Sequence, residues 1–234
     1  MHMIYVTADI HGNAARFESV LRQTGLRDED TLYILGDVVD RYPDGIRILR
    51  RIMKMKNARM LLGNHELMML KAADTEKIEK DGRFMRHWYR NGGEVTYNYL
   101  KYLRCEQKRE IFDFVRSLPL NFDVEVNGRR FKLVHGSPVE NYPFGHREYS
   151  SLTEYAVWER WKPDYPIPDG YTLIFGHTPT PNLQEGEPWR MWTGERAYGI
   201  DCGCGYSEGR LLCLRLDDMK EFYSEETFSD AESE

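Results

Sequence analysis

The N-terminal third of the chain repeats one pattern three times: a short apolar run, a cluster of polar residues, and a segment with apolar residues at helical spacing. The apolar runs are 3–7, 31–35 and 58–62. Phe17 and Val20 follow the first run at helical spacing, and Ile46 and Leu49 follow the second. Alternating strands and helices predict a parallel sheet whose polar clusters all lie on one rim.

The polar cluster at 36–41 follows the second apolar run directly and contains Asp37, Asp40 and Arg41. Open α/β sheets place their sites at the carboxyl ends of strands. The two carboxylates could serve hard cations, and the guanidinium could hold a phosphate through two parallel hydrogen bonds. Taken alone, the hexapeptide is equally compatible with a turn followed by a solvated helix start.

The pattern of the chain changes after residue 118. Residues 67–118 have a mostly helical pattern that is interrupted at 91–93, whereas 119–126 and 129–134 predict a hairpin around Asn127-Gly128. Further apolar runs at 171–175 and 211–216 predict strands. The shift from parallel units to a hairpin predicts an α/β layered fold, in which two mixed β-sheets pack face to face and are flanked by helices.

Charge and composition narrow the kind of protein. The net charge of −6 arises mostly from residues 217–234, which hold eight acidic residues and one lysine, so that residues 1–216 carry about +1. We expect one domain over 1–216 and a partly disordered acidic tail over 217–234. No basic stripe indicates a nucleic-acid surface, and no apolar run approaches the roughly 20 residues that span a bilayer. Because the N-terminus enters a strand without a signal-peptide pattern, we expect a cytoplasmic protein, by default a monomer.

The four cysteines do not indicate a disulfide framework, since the chain has no C-x₂-C pair and an ordinary globular size. Cys202 and Cys204 could ligate a metal, but reduced side chains in a Gly-rich strand or turn are the simpler interpretation.

Five predicted strands end in polar clusters: Asp9/His11, Asp37/Asp40/Arg41, Asn64/His65, His135 and His177. Any one of them has an ordinary explanation as a loop histidine, a strand cap or a turn residue. Their recurrence at successive strand ends indicates one shared site. Mixed oxygen and nitrogen donors without a thiolate suit Mn²⁺, Fe or Zn²⁺.

Two metal ions could be held by the six donors together if one carboxylate bridges them. Asp37 is the natural bridge, because it lies centrally in the order of the strands. Two such metals would activate a water and neutralise the charge of a phosphoryl group. The donors are Asp9, His11, Asp37, Asn64, His135 and His177.

The motifs Asp-x-His-Gly, Gly-Asp-x-x-Asp-Arg, Gly-Asn-His-Glu, His-Gly and Gly-His-Thr occur in this order. In that order they resemble the phosphoprotein phosphatase branch of the calcineurin-like metallophosphoesterases. The resemblance covers about residues 4–215. It is nearest to small bacterial and phage members, such as lambda phosphatase and the symmetrical diadenosine tetraphosphatases. It implies a metallophosphatase fold and a dinuclear centre, and together with the donor set it makes Mn²⁺ the expected metal, with Fe or Zn²⁺ as alternatives.

The resemblance also implies a role for each matching residue. Asp9 and His11 would bind the first metal, Asp37 would bridge, and Asn64, His135 and His177 would bind the second. His65 would be the general acid that protonates the leaving oxygen, and Asp40 would orient it. A carboxylate on one ring nitrogen fixes the tautomer and raises the basicity of the imidazole.

Phosphate binding is implied for Arg41, for Asn64 and, through a shorter motif match, for Arg160. An exposed helical arginine remains the alternative interpretation of Arg160. The chain departs from the family at Tyr42, where Gly is usual, and at Ser137, where Gly or Ala is commoner. Tyr42 could narrow the mouth of the site.

The implied activity is that of a metal-dependent phosphomonoesterase, in which an activated water attacks phosphorus in line and no phospho-enzyme forms. The first hypothesis is a serine/threonine protein phosphatase that acts on a phosphoprotein or a small phosphorylated molecule. The second keeps the chemistry but takes a dinucleoside polyphosphate, such as diadenosine tetraphosphate, or another nucleotide. The third is an inactive binding module, which the complete set of ligands disfavours.

Overall fold

The computed structural model describes residues 2–73, 82–142 and 149–225. Its first sheet contains β1 (Ile4–Thr7), β2 (Thr31–Ile34), β3 (Ala58–Met60), β9 (Leu212–Arg215) and β10 (Lys220–Tyr223), in the order β10-β9-β1-β2-β3. The strands β1, β2 and β3 are parallel, whereas β9 and β10 are antiparallel to their neighbours. The predicted parallel unit, with its three polar clusters on one rim, is confirmed.

The second sheet contains β4 (Asn121–Val126), β5 (Arg129–Val134), β6 (Tyr171–Phe175), β7 (Trp192–Thr193) and β8 (Ala197–Gly199), in the order β4-β5-β6-β8-β7. The strands β4 and β5 form the predicted hairpin, and Asn127 and Gly128 in its turn both have positive φ. The strands β5, β6 and β8 are parallel. Their carboxyl ends therefore lie on one rim, as in the first sheet.

The helices are α1 (Ala14–Thr24), α2 (Gly45–Ile52), α3 (Asn64–Ala73), α4 (Arg83–Arg90), α5 (Glu94–Lys101), α6 (Cys105–Arg116) and α7 (Leu152–Trp158). The predicted break at 91–93 separates α4 from α5. The helix α3 begins at Asn64, three residues before the predicted helical segment, so that the third polar cluster forms its first turn. None of the helices in the described ranges is long and apolar enough to cross a membrane.

The core of the described residues consists of three apolar clusters, one between the sheets and one on the outer face of each sheet. Val6 and Leu35 of the first sheet pack in one cluster with Phe131, Leu133 and Ile174 of the second. A second cluster joins the outer face of the first sheet to the helices, and a third lies on the outer face of the second sheet around Phe175. Burying a large apolar side chain contributes about 1.5–3 kcal/mol. The predicted fold class, two mixed sheets packed face to face with flanking helices, is confirmed.

The first sheet continues past residue 216, where we expected the domain to end. The strand β10 pairs with β9 over Lys220–Tyr223, and Phe222 is buried. Phe222 and Tyr223 are the apolar residues of this edge strand, and the acidic residues around them concealed it in the sequence. Residues 226–234, the end of the expected tail, lie outside the described residues.

Candidate metal centre

The strand ends of both sheets meet along one buried rim, where the backbone takes an uncommon shape. Left-handed φ values between +49° and +73° occur at Asp9, His11, Asp37, Asp40, Arg41 and His177. Such values are uncommon outside glycine and cluster at functional sites. Gly36 has φ of +90°, and a Cβ there would lie 2.7 Å from the backbone of Gly63. The tight crossing of these two turns brings the Asp37 side chain to the start of α3.

Asp37 lies at the centre of the site and is 2% exposed. Its Oδ2 lies 3.8 Å from Nε2 of His11 and 3.8 Å from Nε2 of His65. Its Oδ1 lies 3.4 Å from Nε2 of His135. Burial opposes ionisation, but the surrounding histidines, His135 first, hold the pKa of Asp37 below its ordinary value. Two groups of potential ligands share this carboxylate, one with His11 and His65 and one with His135 and His177.

Three histidines each donate one ring N–H to a backbone carbonyl. Nδ1 of His11 donates to Val39 (3.2 Å), and Nδ1 of His135 donates to Leu35 (2.6 Å). Nε2 of His177 donates to Trp158 (3.1 Å). Because a carbonyl can only accept, these bonds fix the tautomer and leave the opposite nitrogen with its lone pair.

Burial lowers the pKa of all three imidazoles, well below the ordinary value for His11 and His177. The lowered pKa favours the neutral imidazole, which is the form that binds a metal.

Carboxylates crowd the same space. Asp9 accepts the backbone N–H of His177 at 3.0 Å. Burial, with the nearby Asp201 and Asp37, holds the pKa of Asp9 well above its usual range. Burial also raises the pKa of Asp201 to about 6. Buried carboxylates at this density ionise together only when cations compensate their charge.

Asn64 adds a further donor, since its Oδ1 lies 2.9 Å from Nε2 of His135. Because Nδ1 of His135 carries the proton, two lone pairs face each other there, an arrangement that a shared cation would stabilise. The residues present therefore fit divalent metals with oxygen and nitrogen ligands.

His65 is distinguished from the other histidines by a carboxylate partner. Its Nδ1 lies 2.7 Å from Oδ2 of Asp40, and the same oxygen accepts the indole N–H of Trp88 at 2.8 Å. Burial opposes protonation of His65, but the carboxylates of Asp37 and Asp40 outweigh it and raise the pKa. His65 therefore lies beside Asp37 with a carboxylate on Nδ1 that favours its protonated form. The Oδ1 atom of Asp40 is buried without a hydrogen-bond partner among the described residues.

The two arginines border the site in different ways. Arg41 stacks on Tyr206, with its Cζ 4.8 Å from the ring centroid. Its backbone N–H is bound to Gly92, and its guanidinium makes no hydrogen bond or ion pair within the described ranges. Arg160 lies two residues past the end of α7 and donates to the carbonyl of His177 at 3.2 Å. It is exposed, as in the alternative interpretation, but it lies outside the helix, and its role in phosphate binding stays a prediction.

Three residues of the site escaped the sequence analysis. Glu66 accepts four backbone N–H groups, from Gly63, Asp37, Val38 and Val39, and thereby fixes the 36–41 turn. Trp88 holds Asp40. Asp201 follows the apolar strand β8, and this position after a strand, shared with Asp9 and Asp37, was the signal that could have found it.

The cysteines near the C-terminus do not join this cluster. Burial raises the pKa of the Cys202 thiol well above its ordinary value and that of Cys204 to about 12. Cys204 donates its S–H to the carbonyl of Ile10 at 3.2 Å. The groups of potential metal ligands in the described part of the chain contain no cysteine. These thiols are packing groups.

The two-sheet fold and the buried carboxylate–imidazole cluster define a hydrolase of the metallophosphoesterase class. The chain belongs to the calcineurin-like phosphoesterase family, whose family model matches residues 2–216. The superfamily expected from the motifs is thus confirmed, and the family implies a divalent dinuclear centre.

Curated relatives match over almost the whole chain at low identity. A symmetrical bis(5'-nucleosyl)-tetraphosphatase of Buchnera aphidicola subsp. Schizaphis graminum is 21% identical over 94% of this chain and 96% of its own length. A protein of the same name from Salmonella paratyphi A is 26% identical over 93% of each chain. One from Acidovorax sp. (strain JS42) is 43% identical, but over 30% of this chain and 26% of its own length.

Solved structures share the fold. A crystal structure provisionally named a diadenosine tetraphosphatase has a TM-score of 0.62 at 18% identity and covers 95% of this chain and 92% of its own. A protein serine/threonine phosphatase of Saccharomyces cerevisiae has a TM-score of 0.58 at 15% identity, with 95% and 79% covered. Likeness at this level of identity extends to the fold alone.

Proposed function

We propose that this protein is a metal-dependent phosphohydrolase that cleaves dinucleoside polyphosphates, with two divalent cations, Mn²⁺ by preference, as its cofactors. The observation that supports this chemistry is the position of Asp37. Its carboxylate lies near His11 and His65 on one side and near His135 and His177 on the other. Asp9 and His11 would hold one cation, and Asn64, His135 and His177 would hold the other. Asp37 would be shared between the two cations. All six side chains are buried. Bound there, the cations supply an activated water and neutralise phosphoryl charge.

The protein's own groups perform the other tasks. His65 gives the proton at Nε2 to the leaving oxygen, while its Nδ1 stays on Asp40. Arg41 and Arg160 bind the phosphoryl oxygens from two sides, and both carry fixed positive charge. Asn64 contributes to the same contact. Positioned acids and fixed charges of this kind act where charge develops during the reaction.

The proposed substrate class differs from the one that we preferred from the sequence. We preferred a phosphoprotein substrate, whereas the relatives that match this chain from end to end are named for symmetrical dinucleoside tetraphosphates. The resemblance to a serine/threonine phosphatase carries no information on substrate at its low identity. A phosphoprotein therefore becomes the second candidate.

The test compares kcat/KM of Mn²⁺-loaded protein for diadenosine tetraphosphate and for a phosphoserine peptide. We expect the dinucleotide to be preferred by at least about tenfold, the discrimination expected from one stacked base. Equal or greater efficiency on the peptide would favour the protein phosphatase. Absence of turnover on both substrates and on 4-nitrophenyl phosphate would favour the binding module.

A further inference from the structure

A cavity of about 490 Å³ lies beside the candidate metal centre, between α3, α4 and α7. Leu67 and Met68 of α3, Phe84 and His87 of α4 and Trp158 of α7 line it. Its size falls within the range of about 300–1,000 Å³ typical of small-molecule sites. None of these side chains is among those proposed above to bind a metal or a phosphate or to transfer a proton.

Trp158 forms the wall between the cavity and the metal centre. Its carbonyl accepts the N–H of His177, and its ring meets the ring of His177 edge-on at 6.1 Å between centroids. On its other side the ring lies 5.6 Å from that of His87. The helix α3 makes the same connection, because Asn64 begins it and Leu67 follows one turn later. The cavity therefore starts one side chain away from the proposed metal ligands.

The lining combines aromatic faces with cationic groups. Phe84, His87 and Trp158 present rings, and bases stack on such rings with little regard to sequence. Lys71 and Arg83 add positive charge at the edge. Lys71 is ion-paired with Glu154, so the aromatic rings, rather than a net charge, characterise the lining.

We propose that this cavity binds one nucleoside end of the dinucleoside polyphosphate, with the base against Phe84 and Trp158. The polyphosphate chain then passes Trp158 to reach the metal centre. This inference rests on the proposed function and adds the location at which the substrate is recognised. A phosphoserine side chain has no group that would occupy the cavity.

The experiment fills the cavity and leaves the metal centre unchanged. Leu67→Trp projects an indole into the space. Leu26→Trp is the matched control, since Leu26 lines a cavity beside Asn57, which precedes β3 at the opposite end of the strands. We expect Leu67→Trp to raise KM for diadenosine tetraphosphate at least about tenfold. Its kcat/KM for 4-nitrophenyl phosphate should stay within about twofold, because that substrate's ring is attached to the scissile phosphate and does not pass Trp158. Leu26→Trp should change neither value.

Binding of adenosine, followed by saturation-transfer NMR, gives a readout without hydrolysis. Adenosine should bind the wild type and Leu26→Trp but not Leu67→Trp. If dinucleotide turnover is present and Leu67→Trp leaves KM unchanged, the cavity assignment is wrong while the proposed function stands. If no dinucleotide is cleaved but adenosine binding is still lost in Leu67→Trp, the cavity assignment stands and the proposed function fails. Should Leu67→Trp not fold, Phe84→Ala removes a stacking face instead and must weaken adenosine binding.

Discussion

Replacing Asp40 by Asn is the perturbation that isolates the acid function of His65. Asn keeps an oxygen near Nδ1 of His65 and near the indole of Trp88, so the shape of the site is preserved. The negative charge is lost. A hydrogen bond to a charged group contributes about 1.5–3 kcal/mol and a neutral one about 0.5–1.5 kcal/mol. The difference, about 1–2 kcal/mol, corresponds to a fall of about 5–30-fold in kcat.

The assay is a series of aryl phosphates with leaving groups of increasing pKa, measured with metal content determined alongside. The loss in Asp40→Asn should appear with phenyl phosphate and disappear with 4-nitrophenyl phosphate, whose leaving group needs no proton. His65→Asn should follow the same trend with a larger loss, about 10²–10⁴-fold. Asp44→Asn is the matched control. It makes the same substitution at the residue that precedes α2, where the side chain forms no cap hydrogen bond.

Two results would refute the reasoning. An equal loss on both substrates would mean that Asp40 supports binding or the metals rather than proton transfer. Full activity of His65→Asn on phenyl phosphate would remove His65 from the acid role altogether.

Three further predictions follow from other carboxylates. Asp37→Asn should abolish binding of at least one Mn²⁺ equivalent, measured by metal analysis after gel filtration, because Asp37 faces both histidine groups. Glu66→Gln should lower the free energy of unfolding by about 1–3 kcal/mol in urea titration, because a buried acceptor of four N–H groups is weakened. Asp30 has its pKa lowered from 3.8 to about 2, chiefly by the side-chain hydrogen bond from Arg27. The stability it contributes, roughly 1–2 kcal/mol with allowance for the exposed Arg27, is therefore present above pH 3.8 and lost as the pH falls through about 2. Asp30→Asn should flatten that acid dependence in urea titrations, and an unchanged profile would contradict the assignment.

The sequence predicts the strand ends well because each carries two signals at once. An apolar run fixes the strand, and the residue after it must turn, so Asp9, Asp37, His135 and His177 fall on the shared rim whatever the details of packing. Helix starts are harder to predict. Asn64 begins α3 because Asp37 accepts the backbone N–H of His65 at 3.0 Å, a contact between residues 28 apart.

The partners of the site residues are the part that the sequence could not supply. Trp88 belongs to an aromatic helical stretch whose pattern predicts packing in the core, and its side chain is fully buried there. Only the crossing of α4 over the 36–41 turn shows that its indole also holds Asp40. Glu66 stands within a motif, but its role depends on three backbone groups that arrive from another strand.

The central claim is tested most directly by product analysis of diadenosine tetraphosphate hydrolysis in ¹⁸O-water, with Mn²⁺-loaded protein and mass-spectrometric detection. The account predicts adenosine diphosphate as the nucleotide product, with one ¹⁸O atom in one of the two molecules formed, and no turnover after chelation until Mn²⁺ is restored. Intact dinucleotide under conditions in which a phosphoserine peptide is dephosphorylated would contradict it.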